Sequence, residues 1–600
     1  MKHISYILSL TLTLVSLSAC DDKFLERGPK GTVSEITLTT KAGINGLLTG
    51  AYSYLDGVGN REIGKGAWFG SSSNWILSLA SDDAHKGSEF GDGVVFEQIE
   101  NYTATSVSNP YDDKWQALYD GIQRANEVLR LLPKLPAGTL TEEEATQIKA
   151  EAIFLRGVYH FEAAKIWENI PYVDETISFA NRNYKVSNVP SAWSKIEADF
   201  TFAATNLTAV KSQPGRANSW AAKSFLAKSY MFQHKYTEAK PLLAEIITSG
   251  VTSSGAKYAL VNFSDNFNPS KKNGPEAVFS VQMSVQSGTS GSNGNAGDVL
   301  TMPIGGPSSC CGFYQPSFSL VNSYQTDPAS GLPLIDTFND VPVKHDQGIL
   351  SSQPFTPSEQ TLDPRLDFTV GRRGIPYLDW GIMPGTAWVR AQSDAGPYIG
   401  IKNVYYRAEK ATTSISYNGW ATATSNNYNM IRFADVLLWA AEVEVEVGSL
   451  TEAEKYVNMI RARAADKNGW QKKYVDDKDP AKGFTNVPAA NYKVGLYTND
   501  FASKGQAFAR EAVRFERKLE LAMEGHRFFD LRRYDNGTGY MAEVLNKYVA
   551  YETSIPQFNF VYMKNARFVK GKNEIFPIPQ AQIDLSVQDG ESVLKQNPNY

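Results

Sequence analysis

The residues able to do acid–base or metal chemistry are few and poorly arranged for it. The six histidines, His3, His85, His160, His234, His345 and His526, show no metal-ligand spacing. No His-Glu-x-x-His, Gly-x-Ser-x-Gly or phosphate-loop pattern occurs. The pair Asp82-Asp83 is the one candidate for cleaving a glycosidic bond. That reaction needs two carboxyls facing each other across a sugar, roughly 5 to 9.5 Å apart, whereas adjacent side chains diverge. Acidic pairs in loops are mostly solvated, and no EF-hand-like spacing suggests calcium. The expectation is therefore a protein that binds and does not convert, with no catalytic residue, metal or cofactor.

Aromatic residues make the positive case. The chain holds 30 Tyr, 30 Phe and 11 Trp, 12% of the total, and many lie in Gly/Ser/Asn-rich stretches outside any periodic segment. A sugar ring has apolar faces that lie flat on Trp or Tyr, and hydroxyls that need donors and acceptors nearby. Arg372 to Trp380 supplies both kinds of group, as does Trp388-Val389-Arg390. The candidate ligand contacts are Trp68, Trp75, Tyr314, Trp380 and Trp388. The competing reading is that these rings are buried and pin long loops.

Helices must position these loops. From Tyr111 to Leu132, Trp115, Leu118, Ile122, Ala125 and Leu129 recur at steps of 3 and 4, which puts them on one face. Thr141 begins a helix to Trp167 with a cap and three glutamates. Helices are also expected over Ala42–Leu55, Ala192–Leu207 and Ser219–Ser249. The run from Arg510 to Asp535 has Ala512, Phe515, Leu519 and Ala522 on one face. Beside it Arg517, Glu520, Glu524 and Arg527 form a stripe with opposite signs adjacent at both ends, and spacing alone favours solvated charges there. Gly525 breaks the run, as a cap or to admit another backbone. The turn Thr-Glu-Ala recurs at Thr237 and Thr451, each preceded by an alanine, Ala227 and Ala441, at the same interval. That pattern looks like tetratricopeptide hairpins, where a small residue lets helices approach closely. Strand and loop signals concentrate in 251–429, with a short strand expected from Ala277 to Met283.

A formal net charge of −5 with no basic cluster argues against a nucleic-acid partner. Length alone suggests roughly three or four domains. Lys2 and His3 precede an apolar run from Ile4 to Leu17, too short to span a bilayer and followed by Leu17-Ser18-Ala19-Cys20. This resembles a lipoprotein signal with cleavage before Cys20 and lipidation of its thiol. Cys310 and Cys311 are adjacent and could form a disulfide or stay reduced.

Several stretches resemble the SusD/RagB family of nutrient-capturing surface lipoproteins. They are the run from Arg510 to Asp535 with its Glu-Gly-x-Arg-Phe-Phe-Asp-Leu-Arg-Arg core, Phe24 to Pro29, and Asp363-Pro364-Arg365-Leu366. Asn429 to Leu438 with Ala441-Glu442, Arg461-x-Arg463, and the closing Phe576 to Tyr600 match as well. Asn599 stands where that closing motif usually has Gly. The resemblance implies a mainly α fold, a tetratricopeptide-like helical scaffold with a large loop-rich insert containing short strands. It divides the chain into a signal (1–19), a lipidated tether (20–41), an N-terminal helical region (42–250), the insert with the ligand loops (251–429) and a C-terminal helical region (430–600). It further implies an outer-membrane lipoprotein anchored through Cys20, no enzyme, that takes up oligo- or polysaccharide. The ligand would pass to a TonB-dependent, SusC-like transporter; capture of peptide or another nutrient is the alternative.

Overall fold

Periodic apolar faces become helices close to where the sequence places them. The computed structural model describes residues 35–56, 73–288, 293–417 and 419–600. Helices α1 (Lys41–Ser53), α2 (Asn109–Leu131), α3 (Glu142–Trp167), α4 (Trp193–Asn206), α5 (Ser219–Phe232) and α6 (Tyr236–Ser249) each pack on the next. The five ring and aliphatic residues named on α2 are all buried. At the start of α3 the Glu144 N–H donates to Thr141 Oγ1 at 3.1 Å, and the Thr141 N–H donates to Glu144 Oε2 at 3.0 Å. That reciprocal pair satisfies two amides the helix cannot bond itself.

After the insert the scaffold resumes with α7 (Phe433–Val447), α8 (Leu450–Ala465), α9 (Gln506–Leu521), α10 (Arg527–Asp535) and α11 (Tyr540–Glu552). The two Thr-Glu-Ala sequences form the first turns of α6 and α8, directly after the short bends from α5 and α7. Ala227 and Ala441 are fully buried, as close helix packing requires. Although the insert separates the two hairpins in sequence, α6 packs directly on α7. Lys240 Nζ reaches Glu444 Oε2 at 3.0 Å across that contact. The fold is thus mainly α, a stack of helical hairpins interrupted once.

The expectation of solvated charges on the Arg510–Asp535 run is overturned. Arg517, Glu520 and Arg527 are 2%, 0% and 8% exposed, because partners from other segments close over them. Glu520 meets three arginines: Arg365, Arg432 and Arg463. Arg365 also holds Asp363 at 2.7 Å, and Arg461 holds Glu516 at 2.9 Å. Arg432 binds Glu276 at 2.8 Å and Glu524 at 2.9 Å, while Arg517 pairs with Asp435 at 2.7 Å and Asp530 at 3.0 Å. Burial would push Glu520 up, but the guanidinium groups of Arg463, Arg432 and Arg365 outweigh it and hold its carboxyl well below the usual range. Gly525 sits at φ +79° with Asn74 against it; an added Cβ would lie 2.9 Å from the Asn74 Cβ. Gly525 is not a cap, since α9 ends with Ala522 and α10 begins after His526; its positive φ and the close approach of Asn74 are what require glycine.

The strands are short and paired two by two. Strand β1 (Ala84–Gly87) runs antiparallel to β3 (Phe313–Pro316). Strand β2 (Ala277–Val281) runs antiparallel to β6 (Tyr428–Arg432), which clasps the two ends of the insert together. A hairpin of β4 (Ser414–Tyr417) and β5 (Ala421–Thr424) projects beside them. One apolar core runs through the scaffold from Ile44 to Leu594. The insert adds a small core of its own around Met302, Tyr377, Met383 and Ile401.

Candidate functional site

The five aromatic candidates part company in the structure. Trp68 lies outside the described residues, as do Cys20 and the segments before residue 35. Trp75 and Tyr314 are brought together, but under the surface, at 3% and 2% exposure. The Trp75 indole N–H donates to Gly297 O at 2.9 Å, and its ring packs on Phe96, Phe313 and Tyr314 at 5.5 to 6.0 Å. The Tyr314 hydroxyl donates to Ser78 Oγ at 3.1 Å, and burial pushes its phenol well above the ordinary value. Neither ring presents a face to solvent. Trp75 packs against the β1–β3 ribbon and Tyr314, itself a β3 residue, turns inward onto Ser78, the anchoring role that stood as the competing reading.

Trp380 and Trp388 are half-buried on the insert. Trp380 meets Tyr405 edge-on at 5.3 Å, and its N–H donates to Tyr405 O at 2.8 Å. The Tyr405 hydroxyl in turn donates to Pro307 O at 2.8 Å. Trp388 lies on Gly305 and Gly306. A Cβ at Gly306, which has φ +68°, would stand 2.6 Å from the indole, so only glycine allows the ring to lie there. Its edge meets Tyr377 at 5.6 Å. Both tryptophans therefore flank one loop, 302–312, whose turn carries the Cys310–Cys311 disulfide.

Two further ring positions border the same loop, and the aromatic candidates did not include them. Trp420 and Tyr417 sit at the tip of the β4–β5 hairpin, 6.0 Å apart and half-buried. The Ser309 hydroxyl donates to Trp420 O at 3.4 Å. The sequence did hold a signal, since Asn418-Gly419 between alternating residues is a strong hairpin cue. Phe90, 61% exposed, stands on the loop after β1. That loop reaches the same turn through the Ser88 N–H, which donates to Gly312 O at 2.5 Å. Arg390 closes the face, paired at the surface with Glu89 at 2.6 Å and Asp92 at 3.5 Å.

The polar groups expected from Arg372 to Trp380 are spent internally. Arg372 is buried on Asp367, with contacts of 2.6 and 2.9 Å. Arg373 donates to Ser351 O at 3.1 Å and Gln353 O at 2.5 Å, and Asp379 accepts the backbone N–H groups of Arg407 and Ala408. Arg390 is left as the surface donor beside the rings.

Asp82 and Asp83 form no acid–base pair. Asp82 is gripped by Arg527 at 2.6 Å and Lys518 at 2.9 Å. Burial would raise its pKa, but those two cations outweigh it and leave a carboxylate far below the usual range. Asp83 accepts the Met523 N–H at 3.0 Å; burial, then the charge of Asp82, pushes it up to about 6. His85 is packed between Glu100 at 3.0 Å and Glu552 at 2.8 Å. Among the described residues no group of three or more His, Cys, Asp or Glu could hold a metal ion. Among them, too, no helix is long and apolar enough to cross a membrane.

Comparison with known proteins bears on the whole chain. Residues 275–600 match the model described as the SusD family, and residues 24–231 match one described as starch-binding, associating with the outer membrane. The chain is 23% identical to SusD-like protein P25 of Formosa agariphila, over 88% of this chain and 90% of that protein. It is 26% identical to a SusD-like protein of Bacteroides ovatus, where the match spans 46% of this chain and 50% of the relative. A SusD superfamily protein from Bacteroides vulgatus has the same fold, with TM-score 0.64, 17% identity, and coverage of 94% of this chain and 100% of that one. Surface glycan-binding protein A of Bacteroides thetaiotaomicron, solved with laminarihexaose, aligns at TM-score 0.61 with 19% identity, over 94% and 100% of the two chains. With more than half of its length matched by the family's own model, the chain belongs to the SusD family.

Proposed function

We propose that this chain is a surface lipoprotein that captures a glycan on the insert face and passes it to a TonB-dependent, SusC-like barrel in the outer membrane. The observation that carries the binding step is the seating of Trp388 on Gly305–Gly306, with Trp420 across the same loop and Arg390 beside it. Half-buried rings held edge-on by neighbours keep their orientation and so lose little freedom when a sugar stacks. Two fold neighbours are named for laminarin or laminarihexaose, which makes laminarin the first probe for this chain.

Affinity electrophoresis against a polysaccharide panel beginning with laminarin tests the reading, with Trp388→Ala and Trp420→Ala run beside wild type. Retarded wild type and unretarded variants with intact melts are expected; no retardation by any polysaccharide would overturn it in favour of another nutrient.

The anchor and the partner have separate tests. Cys20→Ala should release the protein from membranes, and an unmodified Cys20 in the wild type by mass spectrometry would refute the anchor. A lipoprotein that binds sugar cannot itself move it through a bilayer, so a barrel is required. We expect a broad, partly polar contact that includes helical-repeat surface. Purification from solubilised membranes that repeatedly yields this chain without a barrel would count against it.

A further inference from the structure

A second cleft, of about 530 Å³, opens on the C-terminal half between α9, α11 and the segment around Phe338. Its volume falls within the range of small-molecule sites. One wall carries Tyr540 and Tyr551 from α11, and the other carries Phe338 with Phe515 of α9. The floor is the buried trio of Asp82, Lys518 and Arg527. Strand β1 leads from Asp82 to the loop bearing Phe90, so the cleft and the insert face sit at opposite ends of one ribbon.

We propose that this cleft is a second saccharide site, for a short, uncharged sugar or a chain end. The walls supply aromatic rings, of which Tyr540 and Phe338 already carry a cation over one face, Arg514 at 4.5 Å and Lys518 at 4.9 Å, and the floor supplies fixed donors and acceptors. Asp82 uses one face of the Arg527 fork, through Nε at 2.6 Å and Nη2 at 3.1 Å. The Nη1 amine takes no partner among the described residues. Lys518 spends one N–H on Asp82 and has others to give. Hydroxyl and ring oxygens are the acceptors such donors fit.

Charge decides between sugar classes. The two floor cations are balanced by Asp82 and the adjoining Asp83, which is buried 3.0 Å from the Met523 amide. At the mouth Arg514 pairs with Glu511 at 2.9 Å and Lys547 with Glu543 at 2.7 Å. No cation is left over to repay the desolvation of a uronate or a sulfate. A neutral ligand rich in hydroxyls meets no such penalty.

The test uses full-length protein carrying Trp388→Ala and Trp420→Ala, so that the insert face is disabled. Saturation-transfer NMR and calorimetry are run with maltose, laminaribiose, cellobiose, mannobiose and, as a charged control, glucuronic acid. Residual binding of at least one neutral disaccharide is expected, weakened at least fivefold by adding Tyr551→Ala, which empties one wall. Val544→Trp, which fills the cleft from α11 without removing a buried group, should weaken it as much in a protein of unchanged melt. Absence of binding by every neutral disaccharide, binding untouched by both cleft variants, or preference for glucuronic acid would overturn the proposal. Intact wild-type affinity in the insert variants, lost only on changing the cleft, would instead overturn the insert-face reading and leave this one standing.

Discussion

The ionic network around Glu520 and the ring face of the insert solve opposite problems with opposite chemistry. In the network, charged groups leave water altogether: Arg365, Arg432, Arg461 and Glu520 are each at most 1% exposed. On the ring face built by the insert and the loop after β1, apolar rings stay partly in water: Trp388 and Trp420 are half-buried and Phe90 is 61% exposed. Each is costly by itself. Buried ions are tolerated only where every one is matched, which fixes how distant segments meet. Exposed rings are tolerated where a ligand will cover them. The difference shows where the molecule must keep one arrangement and where it must remain able to receive something.

The sharpest way to break this contrast is to unbalance the network. Glu520→Gln leaves three arginines facing a neutral amide, and removing one partner of a buried ion cluster costs about 3 to 5 kcal/mol. Denaturant unfolding should show that loss, and a variant as stable as wild type would show that the network is hydrated. Trp75→Ala should behave like the network and unlike the face. Truncating a buried indole costs about 3 to 5 kcal/mol, with glycan affinity kept in whatever protein stays folded. Trp388→Ala is expected to do the reverse. Loss of one stacking ring should weaken binding roughly ten- to a hundredfold, about 1 to 3 kcal/mol, with little change in melting temperature. A lowered melt with unaltered affinity would move Trp388 to the side of Trp75.

The smallest effect is a pH dependence at His85. Burial would lower its pKa, but hydrogen bonds to Glu100 and Glu552 outweigh that and push it up to about 9. An unfolded histidine titrates near about 6.5. The folded state thus binds the proton more tightly, and this stabilisation is complete below about 6.5 and disappears as pH rises through 9. The groups around the ring are those two carboxylates, Tyr548, Phe558 and Phe560. Comparing wild type with His85→Gln isolates the term from other titrations. Their difference in unfolding free energy should shrink between pH 7 and 9.5, by no more than about 1.4 kcal/mol per pH unit. A difference that stays constant over that range would mean the histidine is neutral when folded.

Much of the scaffold was legible because its signals are local. The apolar steps on α2, the Thr141 cap and the alanines before the Thr-Glu-Ala turns each act within a few residues, and all appear as helix, cap or crossing. The network was not legible from spacing, because periodicity shows which charges share a face but not what covers it. Glu520 is covered by Arg365 and Arg432, 155 and 88 residues away. The proposed binding face was legible only in part. Composition selected Trp388, which stays partly exposed, but the same reasoning also selected the buried Trp75 and Tyr314, since nothing in an irregular stretch distinguishes a ring facing inward from one facing out. Trp420 carried the one geometric cue, a hairpin turn, that separates them.

The clasp between β2 and β6 has a consequence for how such a protein changes over time. The segment from Gln282 to Asn427 leaves and rejoins the scaffold at neighbouring strands and is tied to it in between at fixed points such as Arg365 on Glu520 and β3 on β1, so the turns between those points are held only by their ends. The entropy of closing a loop grows with the logarithm of its length, and doubling a flexible segment costs about 0.6 kcal/mol more. The ring-bearing turns can therefore be lengthened, trimmed or exchanged at small entropic cost while the helical stack keeps its packing.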